Sequence, residues 1–386
     1  MKKHLWTLIK RFAPLAFGLA VLVYLFAFRY SIEDSVREVQ VKGPDGKGLI
    51  QIVEGGKTQS VPHDEVVLTG QDKGRWTKPG IVSVVKRVSL NELALAIALC
   101  GASFLATALR LQYLVSLLGY RVGYVRCLAY TFIGQLYNTA IPGGAIGGDA
   151  VKALYLSRHT TGKAHAFAAV LVDRICGLFT LATLALVMLA PSITEPSMAT
   201  AAMVIVAFLL AGSVAVVLML SRRVRALWPE QWRNKLPLKG AIANFDQAVQ
   251  IYRGRLGGIA LALIISVLPQ LGWIAMHVAL GQGMGISNIG WMDYFVLVPV
   301  SGMVASLPIS FGGWGVGEFA AVYFFGQRGV PGELALVLSF LGRLLQTGFG
   351  VIGLPLSLLL PKPKVSETVI IAPAQTVVAP DRPAAS

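Results

Sequence analysis

Two acids, each followed 25 residues later by an arginine, dominate the chemistry this sequence offers: Asp149 with Arg174, and Glu318 with Arg343. Each acid closes a cluster of proline and glycine. The first cluster holds Asn138, Pro142, Gly143, Gly144, Gly147, Gly148 and Asp149; the second holds Pro308, Gly312, Gly313, Gly315 and Glu318. The proline-to-acid spacing is seven residues in one and ten in the other, and a tyrosine follows each acid, Tyr155 and Tyr323. Glycine amides and helix N-termini suit an anion such as a phosphate, and so do the arginines. The pattern therefore points to binding an anionic group. It shows no catalytic constellation, no metal-ligand spacing and no cofactor motif. Each residue also has a plainer role. The glycines permit close helix packing, the acids cap helices, and Asn138 satisfies freed backbone. Lys152 either reaches a phosphate or snorkels. Asp173 neutralises Arg174 or a neighbour. Arg110, about eight residues from the end of its apolar segment, is expected to snorkel.

These residues sit in a strongly apolar chain. Hydrophobic residues make up 55% and charged residues 14%, against about 25% charged in a soluble domain. The mean hydropathy is +0.66. The net charge of +15 lies between apolar segments, where it marks topology and faces anionic lipid rather than nucleic acid. Cys100, Cys127 and Cys176 all fall in apolar segments, so no disulfide framework is expected.

A membrane helix needs about 20 apolar residues. Six segments meet or approach this: 12–28, 91–118, 164–190, 198–220, 257–280 and 334–360. Two more, 126–141 and 292–307, run into the proline and glycine clusters and resume only briefly. They read as re-entrant hairpins. The fold class is thus an all-α polytopic membrane protein with about six spanning helices and two glycine-rich hairpins. The first apolar segment lacks a cleavage site and reads as an uncleaved anchor, 1–28. Residues 29–89 form a β-rich extracytoplasmic insert, with strand-turn-strand patterns around Val39, Val41, Leu49 and Val53.

Residues 90–220 form a first membrane repeat with an extra span. Segment 221–256 carries eight Lys/Arg against Glu230 and Asp246 and is the clearest cytoplasmic loop; with Trp228 and Trp232 it reads as an amphipathic surface segment. Residues 257–360 form a second, inverted repeat, and 361–386 a disordered tail. Both termini are expected in the cytoplasm. The insert faces out despite ten Lys/Arg, balanced by eight Asp/Glu. Inverted repeats with broken helices are the plan of many secondary transporters.

The first cluster, with Lys152, Tyr155 and the later Asp173 and Arg174, resembles the lysylphosphatidylglycerol synthase transmembrane region, or flippase-like domain family. The second cluster, through Glu318, resembles that family's C-terminal motif. The resemblance covers roughly residues 90–360. It implies an integral protein of the bacterial inner membrane that moves a phospholipid or polyprenyl-phosphate-linked substrate between leaflets. In the family's namesake a soluble aminoacyl-transferase domain follows the membrane region; this sequence leaves no room for one before Ser386, so lysyl transfer is not expected. Two other classes compete with transport: a membrane-embedded transferase using Asp149, Asp173 or Glu318 as base, and a scaffold in which the insert docks an envelope protein. The dispersal of the acids favours transport.

Overall fold

The structure is a computed structural model. It describes residues 16, 18–30, 33–44, 49–54, 57–62, 66–68, 73–78, 80–140, 145–220, 247–307 and 310–361. The first half of the 12–28 segment, most of the basic 221–256 loop and the tail beyond 361 lie outside these residues. So do Pro142, Gly143, Gly144 and Pro308 of the two clusters.

The helices after the insert are α1 (Ile81–Arg87), α2 (Leu90–Leu117), α3 (Tyr124–Ala140), α4 (Ala145–Leu156), α5 (Lys163–Leu189) and α6 (Ala199–Leu220), then α7 (Leu256–Gly283), α8 (Trp291–Ala305), α9 (Val316–Gln327), α10 (Gly332–Val351) and α11 (Gly353–Leu359). Five stretches among the described residues are long and apolar enough to cross a membrane: Leu90–Leu117, Lys163–Ser192, Pro196–Val214, Leu256–Gly283 and Gly332–Leu359. The last agrees with the single span expected over 334–360 and is built from α10 and α11, which meet at Ile352. Pro355 has no N–H for the carbonyl four residues earlier, which interrupts the hydrogen-bond ladder there.

The insert is a five-stranded antiparallel sheet: β1 (Ser35–Pro44), β2 (Leu49–Glu54), β3 (Lys57–Pro62), β4 (Val66–Leu68) and β5 (Lys73–Lys78), in the order β3-β2-β1-β5-β4. Strand alternation puts Val39, Val41, Ile50, Ile52 and Trp76 on one buried face. The sheet is tied to α1 where Gly80 N–H donates to Asp34 Oδ1 at 2.7 Å. That bond holds the Asp34 carboxyl below its usual range.

Helices α2 and α7 form a long antiparallel pair. Three glycines of α7 face α2 in turn: a Cβ at Gly258, Gly272 or Gly283 would meet Leu117, Ser103 or Glu92 at 2.7, 2.5 or 2.9 Å. Small residues let the two backbones approach, which drives helix association where no hydrophobic effect operates.

Two helix hairpins lie against this pair. In α3–α4, a Cβ at Gly148 would fall 2.0 Å from the Gly134 carbonyl oxygen, and Tyr130 meets Tyr155. In α8–α9, Tyr294 meets Phe325 edge-on at 5.7 Å. The two tips touch: a Cβ at Gly312 would lie 3.1 Å from the Asn138 carbonyl oxygen. A helix over residues 18–29 packs on the second tip. Gly18 and Gly315 pack backbone to backbone, and Phe26 stacks edge-on against Phe340.

At the sheet end of the bundle, Arg328 clasps two elements. It donates to Asp293 at the start of α8 and to Glu195 in the α5–α6 connection. Burial works to raise the Glu195 carboxyl, but the bonds from Arg328 and Ser192 outweigh it and hold it below its usual range. The depressed value means that Glu195 contributes stability above its unfolded-state pKa and loses it as pH falls through the lower folded value. The effect is small, about 1 kcal/mol at most, because Glu195 is screened by solvent. Thermal unfolding of the solubilised protein between neutral pH and about pH 3 should show a steeper acid loss in the native chain than in Glu195→Gln. Parallel profiles would mean the clasp carries no weight.

Candidate functional site

The hairpins and the surrounding helices line a partly open cavity of about 410 Å³. Every helix from α2 to α10 except α6 contributes to its wall. Arg110, Lys152, Arg174 and Arg343 line it, as do Asp149 and Asp173. Charges at such depth are costly unless paired or hydrated, and each of these has a partner.

Each of the two acids pairs with the arginine 25 residues after it. Arg174 Nη1 donates to Asp149 Oδ2 at 2.8 Å, bridging α5 and α4. Arg343 Nε donates to Glu318 Oε1 at 2.6 Å, bridging α10 and α9. The second pair is more deeply built. Glu318 is fully buried, and its other oxygen accepts the Gly315 N–H at 2.7 Å, capping α9. Arg343 also donates to the Gly312 carbonyl at 2.7 Å and lies over the Trp314 ring. The glycines make room for it: a Cβ at Gly313 or Gly317 would lie 2.9 or 2.0 Å from the guanidinium. Gly312, Gly313 and Gly315 all have positive φ, which only glycine adopts without strain.

Asp149 departs from expectation. Helix α4 starts at Ala145, so Asp149 lies one turn inside it and does not cap it. Gly147 and Gly148 are helical too. Gly148 serves the crossing with α3; a Cβ there would also fall 2.2 Å from Asn138 Oδ1.

Arg110 is the residue that sequence reasoning misplaced. It does not snorkel; it is 5% exposed and points inward. Its Nε donates to Asp173 Oδ1 at 2.6 Å and its Nη1 to Ser266 Oγ at 3.1 Å. Lys152 Nζ donates to the other Asp173 oxygen at 2.8 Å. Asp173 therefore neutralises a neighbour on α2 and another on α4, not Arg174. A Cβ at Gly177 would press on the Arg110 guanidinium at 3.0 Å, so that glycine admits the side chain. His277 joins the wall from α7, its Nδ1 bonded to the Trp273 carbonyl at 2.9 Å. Asn138 Oδ1 and Thr347 Oγ1 are buried at the wall with no hydrogen-bond partner among the described residues.

The tyrosines differ. Tyr155 is buried and donates to the Ser357 carbonyl at 3.2 Å, a packing role, whereas Tyr323 is exposed. Among the described residues, no three of His, Cys, Asp and Glu converge closely enough to hold a metal ion.

Residues 79–353 match the family described as the lysylphosphatidylglycerol synthase TM region. The chain belongs to that family. It is a multi-pass membrane protein, and both acid–arginine pairs and the whole cavity wall fall within the matched residues. It is also similar to a UPF0104 membrane protein of Pyrococcus horikoshii, at 22% identity over 68% of this chain and 85% of that one. No solved structure matches. The sheet and the N-terminal helix precede the match.

Proposed function

We propose that this family member moves a phosphate-bearing lipid between the leaflets of the bacterial inner membrane, both termini in the cytoplasm. The observation that carries the reading is the cavity: a space of mixed polar and apolar lining inside an apolar bundle, with four cations in its wall, where the two hairpins meet at Asn138 and Gly312. Broken backbone is tolerated in a membrane only where protein or water covers it, so helix breaks at membrane depth go with a cavity. Unpartnered atoms such as Asn138 Oδ1 and Thr347 Oγ1 are unusual in a folded interior and suit a polar guest.

The two hairpins are read as re-entrant segments and the two halves as inverted repeats. Both halves place an acid on the second hairpin helix and pair it with an arginine 25 residues on. Both hairpins return the chain to the end it left, as the Asp293–Arg328 pair does at the open end of α8–α9. In this reading Asn138, Gly147, Gly148, Gly312, Gly313 and Gly315 belong to the moving gate; Pro142, Gly143, Gly144 and Pro308, expected beside them, lie outside the described residues. Lys152, Asp173, Arg174 and Arg343 line the cavity that the phosphate would enter. Rocking one repeat against the other would open the cavity to each leaflet in turn.

The test is leaflet-to-leaflet movement of labelled lipids in proteoliposomes, comparing the native chain with Arg174→Ala and Arg343→Ala after both are shown to fold. Movement lost or cut about tenfold or more in both variants is expected, since each removes a charge-assisted contact of about 1.5–3 kcal/mol. A native chain that moves no lipid across a broad panel would overturn the reading in favour of a transferase or scaffold.

A further inference from the structure

The two halves of the cavity are not equally charged. The offset that maps Asp149 onto Glu318 and Arg174 onto Arg343 maps Lys152 onto Ala321 and Asp173 onto Gly342. The acid–arginine pairs are thus duplicated, and the Arg110–Asp173–Lys152 cluster is not. In the second half Gly342 instead packs closely on His277: a Cβ there would lie 2.5 Å from Nε2.

This asymmetry decides where an excess charge resides. Each duplicated pair joins one cation to one carboxylate and is neutral. Between α4 and α5 the pairing is reciprocal: Asp149 with Arg174, and Lys152 with Asp173. Arg110 is then supernumerary. It comes from α2, shares the Asp173 carboxylate with Lys152, and is steadied by Ser266 from α7. Three side chains of about 5–6% exposure therefore carry one uncompensated positive charge at the cavity wall. The ammonium of Lys152 has three donors, and one goes to Asp173.

We infer that the anion site of the cavity lies in the first half alone, between Arg110 and Lys152, and that it takes a monoanionic phosphodiester in preference to a phosphomonoester. A buried site is most favourable when guest and wall cancel, because net charge in a low-dielectric interior is expensive. A phosphodiester carries one negative charge. A phosphomonoester carries about 1.5 to 2 near neutral pH and would leave the excess uncompensated with the opposite sign. The tip pairs then act as latches that hold the helix breaks, and the unduplicated cluster reads the headgroup. The inference rests on the lipid-translocation reading for the choice of lipid probes, but the binding it describes requires no movement.

The experiment is calorimetric titration of the detergent-solubilised full chain with dioctanoyl phosphatidylglycerol, dioctanoyl phosphatidic acid and inorganic phosphate. The diester is expected to bind most tightly. Arg110→Gln and Lys152→Met each leave a neutral pair and should weaken it about tenfold. Asp173→Asn leaves two uncompensated cations, so it should tighten binding and shift preference toward the monoester. A cluster with only a structural role would lose binding in all three variants alike. Should Arg110→Gln fail to fold, Arg110→Lys keeps the charge and should retain the diester preference. Equal or tighter binding of phosphatidic acid by the native chain would overturn the proposal, as would unchanged affinity in Arg110→Gln and Lys152→Met. Binding of inorganic phosphate without either lipid would also overturn it, by showing a soluble guest. Diester binding that follows this pattern in a protein that moves no lipid would leave this inference standing and remove the transport reading.

Discussion

Glu318→Ala should destabilise the protein by about 3–5 kcal/mol, the range for removing one partner of a buried ion pair. Two losses combine. Arg343, mostly buried under the second tip, keeps its charge without a carboxylate, and the Gly315 N–H at the start of α9 loses its acceptor. Glu318→Gln separates them, since a glutamine oxygen still accepts the cap bond but cannot neutralise the arginine. Thermal or denaturant unfolding in detergent should rank the native chain above Gln, and Gln above Ala. Asp149→Ala should cost less than Glu318→Ala, because the Asp149–Arg174 pair is 22–26% exposed and Asp149 caps nothing. Native-like stability of Glu318→Gln would show that the ion pair contributes little.

Gly148→Val carries the second large effect. The added Cβ would fall 2.0 Å from the Gly134 carbonyl oxygen and 2.2 Å from Asn138 Oδ1. The first is backbone and cannot rotate away, so α3 and α4 must separate. Overpacking of this kind costs about 1–3 kcal/mol, and the backbone obstacle puts this site at the upper end. The separation would also displace Asp149 and Lys152, which ride on α4, from their partners on α5. Gly212→Ala is the matched control. Its Cβ meets nothing within 4 Å, and alanine in a helix interior gains up to about 1 kcal/mol over glycine. Unfolding of the two variants should therefore move in opposite directions. Equal stability of Gly148→Val and the native chain would mean the α3–α4 crossing is looser than its geometry shows.

The duplicated pairs were legible in the sequence because local rules fix them. In both halves an acid close to a proline–glycine cluster is followed by an arginine 25 residues on, and both pairs form. The β-rich insert was legible from alternation and turn residues, which need no long-range information. Arg110 was not. Its partners lie 63 residues away at Asp173 and 156 away at Ser266, and no local pattern announces a contact of that range. Its distance from the segment end suggested snorkelling, a rule that holds when no buried carboxylate is waiting. Residues 334–360 were legible as one apolar span, in which only Pro355 signals the interruption at Ile352. The early start of α4 was not legible: glycine at Gly147 and Gly148 reads as a breaker, but tight packing on α3 repays its weak helix propensity.

The N-terminal helix and the sheet add a layer outside the family match. Gly18 seats against the second tip, and β3 approaches the α9–α10 turn, where a Cβ at Gly329 would lie 4.0 Å from the Thr58 carbonyl oxygen.

The central claim is that a lipid headgroup enters the cavity between the tips. The most direct measurement is photo-crosslinking in native membranes with a phosphatidylglycerol analogue carrying a diazirine beside its headgroup, followed by mass spectrometric mapping of the adducts. The account predicts adducts on cavity-lining peptides around Gln135, Gln270 and Thr347, suppressed by excess unlabelled phosphatidylglycerol. Adducts confined to the outer apolar faces, such as that of α6, with the cavity peptides unmodified, would contradict it.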